Sequence, residues 1–145
     1  MRRLLALPLL AAAVAACGGG SPSPSTPATT ARAPAAKRAL HVVLDADSHQ
    51  PRLGRAWTYR AQVTDATTGA PVRATIHLQF WFNGYSVGEV GTHTVAGGVW
   101  KETIPATGKD AFPPASVGQK LVLHAAVTAK GYRPASAGWK VQVVK

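Results

Sequence analysis

The sequence predicts an all-β domain, a Greek-key sandwich of about seven strands, behind an export signal and an unfolded spacer. Three observations point there. Apolar and polar residues alternate over most of residues 40–145, the pattern of strands with one buried face. Gly, Pro, Asn and Asp punctuate that region at the spacing of short strands and turns. No stretch repeats at the helical period of about 3.6 residues.

Length and composition bound what can be built. At 145 residues the chain holds one ordinary domain plus accessory segments. Cys17 is the only cysteine, so no disulfide forms within the chain and the fold must rest on its apolar core. Such a core needs a domain of about a hundred residues, which residues 39–145 supply. The formal net charge is +10. From Cys17 onward, 14 Lys and Arg against 6 Asp and Glu leave +8; from Ala39, 11 against 6 leave +5. Half of the basic excess therefore lies in the signal and spacer. For an exported chain this charge points to anionic envelope polymers or lipid headgroups, or to solubility alone, and not to nucleic acid.

The elements follow in order. Arg2 and Arg3 are followed by an apolar run over residues 4–16, too short for a hydrocarbon core that needs about 20 residues. Val14-Ala15-Ala16-Cys17 then resembles the lipobox of bacterial lipoproteins. That resemblance implies cleavage before Cys17, a diacylglycerol on its thiol and acylation of the new amino terminus, so the mature protein is expected to be anchored to the outer face of the cell membrane. In a two-membrane cell the outer membrane is expected instead, because Gly18 supplies no Asp-type retention signal. Residues 1–16 are thus read as signal peptide and 17–38 as a lipidated cysteine plus linker. The linker runs Gly-Gly-Gly, then Ser-Pro-Ser-Pro-Ser-Thr-Pro, then Ala, Thr and Pro with Arg32, Lys37 and Arg38. With no apolar periodicity it is expected to be disordered, and at about 3.1 Å per residue it reaches at most roughly 60 Å.

The domain begins at Ala39. Leu40, Val42 and Leu44 predict the buried face of a first strand, and Ser48, Pro51 and Gly54 the break after it. Trp57, Tyr59, Ala61 and Val63 predict the second strand, with a turn over residues 65–70 and Pro71 opening the third. Six inward alternations, Val72, Ala74, Ile76, Leu78, Phe80 and Phe82, mark a central strand. Asn83-Gly84 is a hairpin signal, with a shorter strand returning over residues 85–90. Over residues 99–104 two registers compete; the favoured one turns Trp100, Glu102 and Ile104 inward, with Glu102 near a sheet edge. Residues 105–118 form a crossing loop with Phe112 as a plug. Leu121, Leu123, Ala125 and Val127 predict the sixth strand, and Trp139, Val141 and Val143 the last. Trp57 and Trp139 are read as core anchors.

Residues 57–65, Thr68-Gly69-Ala70-Pro71-Val72 and residues 76–84 resemble the bacterial Ig-like domains of surface proteins. The aromatic second strand ending Val63-Thr64-Asp65, the Gly-x-Pro-Val turn and the third strand running into Asn-Gly carry the likeness. It implies an Ig-like sandwich used as spacer, adhesion or ligand-binding module. The Cys pair of antibody domains is missing, so no immune-type relation follows.

No catalytic constellation stands out. There is no Gly-x-Ser-x-Gly, and the six acids are scattered, so an enzyme and a cofactor are not expected. The outward residues of the third strand point to binding. Arg73, His77, Gln79 and Trp81 combine a ring for stacking with polar groups, and Tyr85 is expected to extend the platform. The expected partners are an envelope polysaccharide or another surface protein. A second possibility is metal binding or trafficking, because His77 and His124 share outward parity on strands expected to be neighbours; none of the five histidines has a His-x-His or His-x-x-x-His spacing.

Overall fold

A computed structural model describes residues 36–145 of the chain. The signal peptide, Cys17 and nearly all of the linker lie outside the described residues. Seven strands form where the period of two predicts them: β1 (Leu40–Ala46), β2 (Trp57–Asp65), β3 (Ala74–Phe82), β4 (Tyr85–Val95), β5 (Val99–Ile104), β6 (Lys120–Thr128) and β7 (Ala135–Gln142). They pair antiparallel as a three-stranded sheet, β1-β2-β5, and a four-stranded sheet, β4-β3-β6-β7. The protein is an all-β, Ig-like sandwich. Its fourth strand lies beside β3, which departs from the constant-type antibody domain, where the fourth strand joins the opposite sheet.

The core lies between the sheets. Tyr59, Ala61, Val63, Ile76, Leu78, Leu123, Ala125 and Val127 are nearly or fully excluded from solvent. These are the inward positions that alternation assigns to β2, β3 and β6. In β5 Trp100 and Glu102 are half-buried and Ile104 buried, which is the favoured register. Among the described residues β5 pairs only with β2, so Glu102 does sit on an edge strand. Phe112 is buried under the crossing loop, its ring 5.4 Å from that of Phe80 and 5.8 Å from that of Trp57.

Three expectations are corrected. The strand after Asn83-Gly84 runs to Val95, well past Val90. Its alternation is broken twice, because Gln79 opposes Glu89 and Trp81 opposes Ser86, leaving Val90 and Val87 as extra residues in β-bulges. A period of two cannot be read through two such insertions. β3 starts at Ala74, although Val72 is still buried and Pro71 forms a single bridge to Thr64. Trp139 reaches only the rim of the core; Trp57 is fully in it, its indole N–H donating to Ser48 O at 2.9 Å.

Both ends of the described chain are tied down. Arg38, read from sequence as linker, bridges in parallel to Tyr132, and its guanidinium lies 3.2 Å from Asp65 and over the Tyr132 ring. The last residues of β7 and the chain just after it are covered at their free edge by the loop after β1, where Gln142 N–H donates to His49 O at 2.8 Å and Val144 N–H to Pro51 O at 2.9 Å. A covered edge cannot template a further strand.

Candidate ligand-binding face

The outward surface of the four-stranded sheet is set by register. Glu89, Gln79, His124 and Gly138 stand in one row across β4, β3, β6 and β7. Ser86, Trp81, Val122 and Lys140 form the next, and Thr92, His77, Ala126 and Ser136 a third. Most of the outer positions are small, so the larger central groups stand above a low surface.

Those central groups are fixed to one another. His77 Nε2–H donates to Glu89 Oε1 at 2.6 Å, and the Gln79 amide donates to Glu89 Oε2 at 2.9 Å. Trp81 Nε1–H then donates to Gln79 Oε1 at 3.1 Å, and the indole stacks on His124 with ring centres 4.4 Å apart. A carboxylate only accepts, so Glu89 fixes both the ring proton of His77 and the orientation of the Gln79 amide. The amide and the imidazole hold the Glu89 carboxyl below the ordinary carboxylate range. Side chains on a solvated strand seldom share one arrangement; ordered beforehand, they bind with less loss of entropy.

Of the residues predicted for this platform, His77, Gln79 and Trp81 are brought together, and two others are not. Tyr85 opposes Phe82 across the hairpin. Directly opposed residues share a side, so Tyr85 lies on the Phe82 side of the sheet, away from Trp81, and is 77% exposed. Arg73 precedes β3 and stands roughly 26 Å along the strand from Trp81, at about 3.3 Å per residue. Glu89 and His124 are the members that sequence did not assign to the platform; they arrive from β4 and β6, and only cross-strand register places them.

His77 and His124 do share the outward face of paired strands, but offset: His77 opposes Ala126, and His124 opposes Gln79. One ring is bonded to Glu89 and the other is stacked on Trp81. Among the described residues, no three His, Cys, Asp or Glu side chains are grouped to hold a metal ion.

Two other clusters are structural. Glu102 Oε2 accepts from Tyr59 Oη at 2.5 Å and from Trp100 Nε1 at 3.2 Å, while His93 of β4 stacks on Trp100 across the gap between the sheets. Burial first, then the bond to Glu102, push the Tyr59 phenol far above its ordinary range. Asp65, 2% exposed, accepts the Thr67 and Thr68 N–H groups and the Tyr132 hydroxyl. Those two backbone bonds chiefly, with Tyr132 and Arg38 beside them, hold its carboxyl below the usual range.

Neither a protein-family model nor a curated protein matches this chain. Among solved structures it is similar to the M4 domain of titin in a trigonal crystal form, at 19% identity and a TM-score of 0.43 over 75% of this chain and 99% of that one. The Ig-like assignment rests on strand order and register.

Proposed function

We propose that this chain is a cell-envelope lipoprotein, anchored through Cys17, whose Ig-like domain is a non-catalytic binding module. The export and anchor reading is supported by residues 1–17 of the sequence. The binding reading is supported by one structural observation: the hydrogen-bonded chain from His77 through Glu89 and Gln79 to Trp81, with His124 stacked on the indole. An ordered ring beside imidazole, amide and carboxylate groups suits the apolar face and hydroxyls of a sugar, so an envelope polysaccharide is the ligand the face fits best.

The test is co-sedimentation of the purified full chain with isolated cell walls, at low and high salt. Specific binding survives high salt, and Trp81→Ala weakens it about tenfold, the loss expected of a central aromatic contact, while leaving the circular dichroism spectrum unchanged. Binding that salt abolishes is no more than attraction of a basic domain to a polyanion, and overturns the reading. The anchor is tested separately: Cys17→Ser is expected to move the protein from the membrane to the soluble fraction.

A further inference from the structure

The outward face continues past Trp81 into a cavity. Trp81 opposes Val122, and Val122 opposes Lys140, so the row crosses three strands at about 4.8 Å each. At its end lies a cavity of about 560 Å³, bounded by Lys120, Lys140, His49 and Gln50 over Val122. That volume lies within the range of about 300–1,000 Å³ usual for small-molecule sites. No Asp or Glu lines it. Among the described residues, neither lysine has an ion-pair partner. Two ammonium groups thus face one cavity without a counter-charge.

Its wall is built, not a chance dent. The His49 ring stacks on Trp139 with centres 4.0 Å apart and planes 7° from parallel. His49 Nδ1 lies 2.7 Å from Lys140 O, and His49 O accepts the Gln142 N–H. A carbonyl only accepts, so Nδ1 carries the proton and Nε2 of the neutral ring keeps its lone pair, ready to accept from a hydroxyl.

We infer that this cavity is an anion subsite of the outward face and takes a carboxylate-bearing sugar, a uronate residue of an acidic polysaccharide. Lys120 and Lys140 meet the carboxylate, Val122 underlies the ring's apolar face, and His49 and Gln50 exchange hydrogen bonds with its hydroxyls. A lone inorganic anion satisfies the charge but leaves most of the volume and the apolar floor unused. The inference draws on the binding reading of the Trp81 face for the neighbouring sugar; the lysine cavity stands on its own geometry.

The experiment is calorimetric titration of the purified full chain in detergent, at about 0.15 M salt, with oligogalacturonate, its methyl ester and inorganic phosphate. The acid is expected to bind at least tenfold tighter than the ester. Lys120→Gln with Lys140→Gln is expected to bring the acid down to the ester's affinity. Lys109→Gln with Lys130→Gln removes the same charge elsewhere and is expected to change little. Equal losses from the two pairs, equal binding of acid and ester, no binding of the acid, or displacement of the acid by equimolar phosphate each overturns the inference. Trp81→Ala separates the two readings: if it leaves ester binding unchanged while the Lys120/Lys140 pair still abolishes the preference for acid, the Trp81 face falls and the lysine subsite stands.

Discussion

Asp65 joins three segments through one carboxylate: the turn after β2, the β6–β7 turn through Tyr132, and the entry of the chain through Arg38. Because its folded pKa is depressed, its stabilisation is present in full above the unfolded value of about 3.9 and is lost as pH falls through the lower folded value. Asp65→Asn keeps an accepting oxygen but no charge. The variant is expected to melt lower than the parent at neutral pH, and the two curves to converge as melting is followed from pH 6 toward pH 3. A gap that stays constant over that range would show that the charge is not what matters. Sequence placed Asp65 correctly at a turn, in the Val-Thr-Asp motif, but not its partners, because Tyr132 and Arg38 are brought to it only by the closed sandwich. Tyr59 is the companion case: its phenol is expected to ionise only when the domain opens, which the absorbance of tyrosinate during an alkaline titration would report.

Among the elements, the β3–β4 hairpin explains most of what the sequence hid. β2, β3 and β6 keep a strict period of two, and their buried faces could be read residue by residue. β4 does not, since two bulges insert Val87 and Val90, and its outward residues become Ser86, Glu89, Thr92 and Thr94. This is why Glu89, which fixes both His77 and Gln79, carried no signal of its own. Tyr85, adjacent to the platform in sequence, belongs to the other side for a simpler reason: the two-residue turn at Asn83-Gly84 sets it opposite Phe82. Turn glycines give the matching stability test. Gly84 has φ +85° with open space around it, whereas a Cβ at Gly98, φ +77°, would lie 2.6 Å from Pro71 Cβ. Gly84→Ala is expected to cost about 1 kcal/mol from backbone conformation alone. Gly98→Ala is expected to cost clearly more, since Pro71 must move as well; chemical denaturation of the two variants would rank them.

For the whole molecule, absence of a disulfide leaves the inter-sheet core to hold the fold. Leu78 is fully buried at the centre of β3, and Leu78→Ala is expected to destabilise by about 2–5 kcal/mol, measured by denaturant unfolding. For a domain this small, that is a large share of the total, and partial unfolding at growth temperature would follow. The sandwich itself was legible because one buried face per strand imposes a period on the sequence. What joins strands across the sheet is register, which no single strand records, so the Trp81–His124 stack and the lysine cavity emerged only in three dimensions.

The tie at Arg38 has a consequence for where a ligand would be met. Arg38 is held at the β6–β7 turn, while Lys120 begins β6 and Lys140 lies near the end of β7. Strand polarity therefore puts the chain's point of entry and the lysine cavity at opposite ends of the sheet, roughly 26 Å apart at about 3.3 Å per residue. Within the domain the cavity therefore stands a full strand length from the point where the described chain enters, and the paired strands of the sheet hold that separation fixed.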